Sequence, residues 1–301
     1  MGRTSNEKLI HIRGKDMYVE VHGSENKPPL LYLHGGPGES CYEFCYHQGK
    51  RLHEDVRLIA VDQRGVCRSE AIDREESFSL TDIVMDCEEL RKELGIKKWA
   101  LLGHSFGGYL CLLYATIFPE SVSRIIFECP TFDFGLTTRN SLRKASKLFK
   151  DEGKKNLAEQ CLMLSKSGKT TKDLMLEFMK IRPELGERGM EIHVHNFDNP
   201  TDYSSYTDDE WEQFFKKTDI HNDRLLDGDE MFNSLLPRLK EVTQPAILIN
   251  GQYDPVTCDE QIKTFLADVE HSEIVTLKDS GHFPHFEKPE SFKEIVVDFL
   301  Q

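Results

Sequence analysis

One short stretch, LLGHSFGG at residues 101–108, limits what this chain can fold into more than any other. The apolar segment at 99–102 is short enough to be a buried parallel strand, and residues 109–118 carry apolar and small side chains at helical spacing. A serine on the turn between such a strand and helix, flanked by glycines as G-x-S-x-G, is typical of a nucleophile elbow. Glycine is needed at both flanking positions because a side chain there would collide with neighbouring backbone. We therefore predict an outward-pointing Ser105 hydroxyl at the start of a helix.

Short apolar segments recur on both sides of this elbow. They predict strands at 30–33, 56–61, 124–129, 246–250 and 273–277, and a hairpin around residues 14–16 at a sheet edge. Helical patterns lie between several of them, and the one at 80–94 opens with a capping box formed by Ser79 and Asp82. Strands that alternate with helices predict a mostly parallel sheet covered by helices on both faces.

The alternation stops between Pro130 and Gln244. Roughly 100 residues without a strand signal are too many for a loop, and the segment is rich in charge and helix formers. We predict a helical cap inserted at 133–240 between two parts of the core, 1–132 and 241–301, and placed over the strand ends where such sheets bind ligands. A basic stripe in its first half is interpreted as a solvated helix face: Arg139, Arg143, Lys144, Lys147, Lys150, Lys154 and Lys155.

Composition excludes several classes of protein. The 301 residues are 39% hydrophobic, which supports a sizeable core, and the net charge of −14 argues against nucleic acid or an anionic membrane as a partner. Residues 1–8 are polar, and no apolar run reaches the roughly 18 residues of a membrane span. Neither a signal peptide nor a membrane segment is therefore expected. We interpret the chain as cytoplasmic.

The cysteines and the other short motifs predict no metal and no cofactor. Cys41 and Cys45 are the closest pair, but no second Cys or His pair completes a zinc site. The DFG at 133–135 lacks the other kinase motifs, the His pairs at 193–195 and 282–285 lack metal-ligand spacing, and no phosphate-binding or dinucleotide fingerprint is present. All eight cysteines are interpreted as reduced thiols, most of them core filler: residues 41, 45, 67, 87, 111, 129, 161 and 258.

Two loops after later strands offer the base and the orienting acid that a serine nucleophile needs. Asp254 follows one predicted strand and His282 follows the next, so both are expected at the sheet edge that carries Ser105. The chain order Ser, Asp, His is the one expected with an elbow of this kind. Two alternatives stay open, with Asp254 as a helix cap and His282 as a loop histidine bonded to backbone. Asp279 lies too near His282 in sequence to reach around its imidazole.

An acyl-transfer site also needs two backbone N–H groups for the oxyanion. The Phe106 N–H at the start of the predicted helix is one candidate. The Gly36 N–H is the other, because the glycine-dense turn HGGPG at 34–38 lets backbone approach a ligand closely. His104, beside the predicted nucleophile, is interpreted as a packed residue of the elbow, with a second base as the alternative.

Three motifs together resemble those of a known protein family. HGGPG at 34–38, DQRG at 62–65 with Arg68-Ser69, and GQYD at 251–254 resemble the α/β-hydrolase family, and within it the proline iminopeptidase branch, serine peptidase family S33. The resemblance implies a mostly parallel eight-stranded sheet with a cap. It implies a catalytic triad and an oxyanion hole at the residues proposed above. It also implies removal of an N-terminal residue, often proline, from short peptides without a metal.

The substrate is left open by two observations. The elbow form GHSFG at 103–107 is common among esterases and other hydrolases, so a carboxylesterase, or a hydrolase of a lactone or carbon–carbon bond, is the alternative. A non-enzymatic receptor that binds a small molecule under the cap is a third possibility. We expect the acidic, aromatic half of the cap to supply the specificity pocket, with Asp227, Asp229 and Glu230 binding a substrate ammonium. Nothing in the residues indicates an oligomeric state.

Overall fold

The structure is a computed structural model that describes residues 6–301. Its centre is an eight-stranded sheet in the order β1-β2-β4-β3-β5-β6-β7-β8. The first two strands form an antiparallel hairpin, β2 also runs antiparallel to β4, and every other pairing is parallel. The strands are β1 (Glu7–Ile12), β2 (Lys15–His22), β3 (Pro29–Leu33), β4 (Arg57–Val61), β5 (Trp99–His104), β6 (Val122–Glu128), β7 (Ala246–Gly251) and β8 (Ser272–Leu277).

Longer helices lie between or after the strands, with shorter helical turns among them. The helices are α1 (Leu80–Glu93), α2 (Phe106–Ile117), α3 (Phe134–Asp151), α4 (Lys155–Ser165), α5 (Thr171–Ile181), α6 (Asp208–Asp227), α7 (Asp259–Asp268) and α8 (Pro289–Leu300). The shorter segments are Tyr42–Phe44, Cys45–Gly49, Lys50–Leu52, Pro119–Ser121, Arg182–Ile192, Glu230–Phe232, Leu236–Glu241 and Pro284–Glu287. The predicted capping box of α1 is confirmed, since the Ser79 hydroxyl accepts the backbone N–H of Asp82.

Each face of the sheet carries its own apolar core, because alternate residues of a strand point to opposite faces. On β3, Leu31 and Leu33 pack with α1, α2 and α7, whereas Leu30 and Tyr32 pack with α8 and the helical turns at 42–52. The predicted mostly parallel sheet with helices on both faces is therefore confirmed.

The segment between β6 and β7 contains helices α3 to α6, and α3 to α5 with the 182–192 turns enclose a separate apolar cluster around Phe149 and Leu174. The basic stripe on α3 behaves as expected at Arg143, Lys147 and Lys150, which are exposed. Lys144 is different, because its Nζ donates a 2.9 Å hydrogen bond to the carbonyl of Tyr253 in the core.

Two further expectations, reduced cysteines and no membrane segment, can be compared with the described residues, 6–301. All eight cysteines carry free thiols, and seven of the eight are buried. No helix within this range is both long enough and apolar enough to span a bilayer.

Candidate active site

The turn between β5 and α2 has the backbone of a nucleophile elbow. Ser105 adopts φ 54° and ψ −116°, a left-handed conformation that costs a non-glycine residue about 1–3 kcal/mol. The flanking glycines allow it, because a Cβ on Gly103 would lie 2.3 Å from the carbonyl oxygen of Gly107, and one on Gly107 would lie 1.9 Å from that of Leu33. The hydroxyl therefore stands at the positive end of α2, beside the Phe106 N–H that opens the helix.

Asp254 and His282 meet at the carboxyl ends of β7 and β8. Nδ1 of His282 lies 2.8 Å from Oδ1 of Asp254, and both side chains are buried, at 5% and 0% exposure. The Asp254 carboxylate also accepts the N–H groups of Val256 and Thr257, each at 2.9 Å. Asp254 thus orients the imidazole and is not the cap of α7, whose N-cap residue is Cys258. With Nδ1 occupied, Nε2 of His282 is the nitrogen left for proton transfer.

The Asp254 loop is held from the cap side by α3. Lys144 Nζ donates to the carbonyl of Tyr253, and Asn140 Nδ2 donates to the carbonyl of Pro255 at 2.7 Å. Burial lowers the pKa of the Lys144 amine, although the Asp254 carboxylate opposes that shift. These two bonds flank Asp254 and connect α3, a helix of the predicted cap, to the loop that carries this carboxylate.

The glycine loop after β3 lies against the elbow. An ideal Cβ built on Gly35 would lie 2.9 Å from Cδ2 of the buried His104 and 3.1 Å from Cβ of Ser105, so a side chain at this position would force its neighbours to move. His34 anchors the loop as a neutral imidazole: Nδ1–H donates to the Gly35 carbonyl at 3.0 Å, and Nε2 accepts the Gln63 N–H at 3.1 Å. Burial lowers the pKa of His34 to about 4, which keeps it neutral. These two bonds fix the backbone of the loop immediately before Gly36.

A buried ion pair supports the loop after β4. The Arg68 guanidinium binds the Asp62 carboxylate through Nε at 2.7 Å and Nη2 at 2.9 Å, and stacks over the Tyr18 ring at 3.7 Å. Desolvation opposes the charge on each partner, but their attraction lowers the pKa of Asp62 and raises that of Arg68 well above its usual range. Asp62 also accepts the N–H of Cys41 at 2.9 Å, so the pair connects the DQRG motif to the end of the glycine loop.

The sequence analysis did not predict a buried cluster of His104, Glu128 and His285 near Ser105. Glu128, at the end of β6, accepts both the backbone N–H and Nδ1 of His285, at 2.8 and 2.9 Å. Burial opposes protonation of His285, but Glu128 and Glu43 outweigh it and raise the pKa of His285 to about 10. His104 lies beside Glu128, with Nδ1 3.6 Å from Oε2, and stays neutral, because burial and the neighbouring histidines lower its pKa well below the usual value. The only sequence signal was the second histidine in GHFPH at 281–285.

A cavity of about 270 Å³ opens next to these groups. Its walls include His104, the chain neighbour of Ser105, and Phe283, the chain neighbour of His282. Five of the other twelve lining residues are Phe, Tyr or Trp, and residues of the predicted cap close one side. The lining residues are Tyr32, Gly38, Glu39, Ser40, Glu43, Phe44, Cys67, His104, Tyr203, Trp211, Phe215, Thr218, Phe283 and His285.

Residues 28–289 match the family described as alpha/beta hydrolase fold. This chain belongs to the α/β-hydrolase family. Among its relatives, a proline iminopeptidase of Heyndrickxia coagulans is 26% identical over 280 residues, which cover 90% of each protein. The resemblance to proline iminopeptidases drawn from the motifs is thus confirmed.

Solved structures place the hydrolase among proteins with different substrates. A proline iminopeptidase of Mycobacterium smegmatis superposes with a TM-score of 0.74 at 21% identity, covering 98% of this chain and 97% of that one. An enol-lactonase of Burkholderia xenovorans superposes with a TM-score of 0.64 at 18% identity, covering 97% of this chain and 99% of that one. At these identities the likeness shows the fold alone.

The carboxylates predicted to bind an ammonium do not lie in the cavity of this hydrolase. Asp229 is 92% exposed and lies 3.6 Å from Lys172 Nζ, while Glu230 accepts the N–H of Leu80 at the start of α1. Asp227 ends α6, whereas the cavity is lined by Phe215 on the same helix. Twelve residues of helix separate these two positions by about 18 Å. Aromatic residues of the predicted cap thus line the cavity, whereas the three carboxylates lie outside it.

One further residue, Glu287, stabilises the loop of the hydrolase that carries His282. Glu287 is 1% exposed, and its carboxylate accepts the N–H groups of Gly281 and Phe283 on its own loop and of His195 and Asn196 on the cap side. A carboxylate with four N–H donors holds the turn around His282 rigid and joins it to the segment that follows the 182–192 turns. Nothing in the local sequence predicted this role.

Two groups of side chains near the nucleophile are compact enough to surround a metal ion. In the first, His104, Glu128 and His285 have ligand atoms within 4.8 Å of one another, and in the second Cys129 joins Asp254 and His282. Burial raises the pKa of the Cys129 thiol well above its usual value, so the second group offers a neutral thiol in place of the thiolate that metals prefer. In the first group, Glu128 and His285 already bond each other.

Proposed function

We propose that this hydrolase works through an acyl-enzyme on Ser105, with a catalytic triad completed by His282 and Asp254. The observation that carries the proposal is the 2.8 Å Asp254–His282 bond at the ends of β7 and β8, on the sheet edge that also carries the elbow. A histidine oriented through Nδ1 by a buried carboxylate is the arrangement that makes a serine hydroxyl nucleophilic.

The proposed reaction follows from these positions. Oγ of Ser105 attacks the scissile carbonyl carbon while Nε2 of His282 takes its proton. The oxyanion that forms accepts N–H groups from Gly36 and Phe106. His282 then gives the proton to the leaving group, which departs and leaves an ester on Ser105. A water molecule, activated by the same histidine, attacks that ester and releases the acid.

For the substrate, we propose short peptides with a free N-terminus, from which the enzyme removes one residue. The proline iminopeptidase relative supports this choice, and so does a small cavity that combines aromatic walls with carboxylates. A carboxylesterase or lactonase is the second candidate, favoured by the GHSFG form of the elbow at 103–107 and by the enol-lactonase among the similar structures. We also place the enzyme in the cytoplasm, where eight free thiols stay reduced, with no nucleic acid or membrane as partner.

Substrate panels test the proposal directly. Prolyl- and alanyl-arylamides are compared with their N-acetyl analogues and with p-nitrophenyl acetate and butyrate, using Ser105→Ala as the blank. We expect Ser105-dependent turnover of the free-amine arylamides and little turnover of the acylated ones. Ester turnover alone would move the enzyme to the second candidate, and full turnover by Ser105→Ala would refute the mechanism.

A further inference from the structure

Glu39 is a cavity carboxylate without a lysine or arginine partner among the described residues. It follows the glycine loop and lines the cavity. Among the described residues, the one basic nitrogen within 4.0 Å of its carboxylate is Nε2 of His104, which lies 4.0 Å from Oε2. Glu43, the other cavity carboxylate, is already occupied, since it accepts the Tyr203 hydroxyl at 3.0 Å and lies 3.6 Å from Nε2 of His285.

The nucleophile lies close to this free carboxylate. Gly35 lies next to both residues. A Cβ built on it would be 2.6 Å from Oε2 of Glu39 and 3.1 Å from Cβ of Ser105. Oε2 of Glu39 and Cβ of Ser105 are therefore less than about 6 Å apart, so a group bound to Glu39 is only a few bonds from a carbonyl presented to Ser105. That separation matches an α-amino group, whose nitrogen is two bonds from the carbonyl carbon of its own residue.

His104 supplies a second acceptor that points to the same ligand. Both of its ring nitrogens lack a hydrogen-bond partner, although the side chain is only 1% exposed. Nδ1 faces the Glu128 carboxylate at 3.6 Å, which favours a proton on Nδ1 and leaves the lone pair on Nε2. Nε2 is the nitrogen near Glu39. A buried lone pair beside a free carboxylate is complementary to a cationic N–H donor.

The charges around the cavity also favour a cation. Three carboxylates (Glu39, Glu43 and Glu128) surround one histidine, His285, that is held protonated, while His104 is neutral. The described lining residues include no lysine or arginine. The carboxylates therefore outnumber the positive charges around the cavity, and one bound monocation reduces this excess of negative charge.

We infer that Glu39, on the core loop and not in the cap, binds the ammonium group of the substrate, with Nε2 of His104 as a second acceptor. The inference rests on the proposed aminopeptidase function for its substrate, and it replaces the cap carboxylates as the ammonium site. The aromatic walls would then contact the apolar side chain or ring of the same residue.

Binding to Glu39 depends on pH. Its side chain is 44% exposed and lines the cavity, and the surrounding protein raises the pKa of the carboxyl to about 7 by desolvation and by the nearby Glu43. The other groups that face it are His282, His285 and Glu128, of which the two histidines oppose the shift and Glu128 adds to it. As the pH falls through 7, Glu39 takes up a proton and its attraction for an ammonium is lost.

Inhibition by a small amine tests the site without requiring peptidase activity. L-prolinamide and neutral N-acetyl-L-prolinamide are titrated against p-nitrophenyl acetate hydrolysis in wild type, Glu39→Gln, Glu39→Asp and the exposed control Asp229→Asn. We expect Glu39→Gln to raise the Ki of prolinamide roughly tenfold or more, Glu39→Asp to raise it less, and Asp229→Asn to leave it unchanged. Because each Ki is measured against the variant's own turnover, a change in kcat does not enter it.

The pH series distinguishes a charge effect from a loss of fit. Between pH 8 and pH 6 the ratio of the Glu39→Gln Ki to the wild-type Ki should fall towards one, and no variant should change inhibition by the acetylated compound. An equal Ki in wild type and Glu39→Gln, or an effect of Asp229→Asn as large, would overturn the inference while leaving the Ser105 mechanism intact.

If neither an ester nor an arylamide is hydrolysed, the proposed function fails by itself. The Glu39 site is then tested by calorimetric titration of prolinamide into Ser105→Ala. Binding that disappears in the Ser105→Ala, Glu39→Gln double variant supports the site, and binding that persists there contradicts it.

Discussion

The backbone N–H of Gln63 donates a 3.1 Å hydrogen bond to Nε2 of His34, and so joins the loop after β3 to the loop after β4. The HGGPG and DQRG motifs, which are separate in sequence, therefore form one structural unit. The position of the Gly36 N–H depends on this unit, because His34 also donates to the carbonyl of the intervening Gly35.

We expect His34→Ala to lower kcat more than it changes KM. Without the imidazole, the glycine loop loses both bonds and the Gly36 N–H no longer points at the oxyanion. Losing one oxyanion donor typically costs on the order of 100-fold in kcat, and a displaced donor should cost roughly tenfold or more. Steady-state kinetics on the best ester or arylamide measure the effect, with the exposed His11→Ala as the control. Wild-type kcat in a folded His34→Ala would show that the bond has no catalytic importance.

The Arg68–Asp62 pair is expected to matter for stability. Arg68→Ala leaves the buried Asp62 carboxylate without its cation, which should lower the free energy of unfolding by about 3–5 kcal/mol. Arg51→Ala removes the partner of Glu290, a residue that is 73% exposed, and should cost at most about 1 kcal/mol. Urea denaturation followed by circular dichroism compares the two. Similar losses for both variants would contradict the importance given to burial.

Local sequence patterns were sufficient for the elbow and for the strand ends. The requirement for glycine at 103 and 107 is a backbone property, and it is confirmed by the contacts that a Cβ would make there. Asp254 and His282 could be paired in advance because parallel strands bring their carboxyl ends to one edge. The fold was predictable for the same reason, since strand length and alternation are visible in the sequence.

Side chains whose role depends on packing could not be assigned this way. The sequence does not distinguish the roles of Asp229 and Glu39, because both are simply acidic residues in segments with no regular pattern. Only the tertiary structure shows that Asp229 pairs with a surface lysine while Glu39 lies in the cavity beside Ser105. The role of Glu287 was also hidden, because two of its four N–H donors come from a segment about 90 residues earlier in the chain, residues 195 and 196.

Acid should destabilise the fold through its buried neutral histidines. Burial lowers the pKa of His221 to about 3, whereas an unfolded histidine titrates near 6.5. Between these values the unfolded chain binds more protons than the folded one, so the free energy of unfolding falls as the pH falls below about 6.5. At pH 5 one such histidine lowers the free energy of unfolding by about 2 kcal/mol.

His221→Asn tests this linkage. The Asn Nδ2 can replace Nδ1 of His221, which donates to the Arg64 carbonyl at 2.7 Å, but it does not titrate. We expect the drop in Tm between pH 7 and pH 5 to be smaller in His221→Asn than in wild type. The exposed His271→Asn should behave as wild type does. If both variants lose Tm to the same extent as wild type, His221 is not a source of the acid sensitivity.

Asp254→Asn should abolish most turnover while Asp279→Asn should not. An amide at 254 favours the wrong imidazole tautomer, and the loss of kcat in such a variant is on the order of 10⁴-fold. Asp279 is 64% exposed and pairs with Lys288 at 2.7 Å, so its substitution should change kcat less than about threefold. Kinetics on one substrate with both variants, after their Tm values are shown to be similar, decide the matter. Equal activities would transfer the orienting role away from Asp254.

The central claim is that Ser105 is the nucleophile, and covalent labelling tests it most directly. The folded protein is treated with a fluorophosphonate, and its intact mass is measured in parallel with Ser105→Ala and with the neighbouring control Ser40→Ala. We predict one adduct per chain in wild type and Ser40→Ala, located on Ser105 by peptide mapping, and no adduct in Ser105→Ala. An unlabelled wild type, or an adduct that persists in Ser105→Ala, would contradict the account.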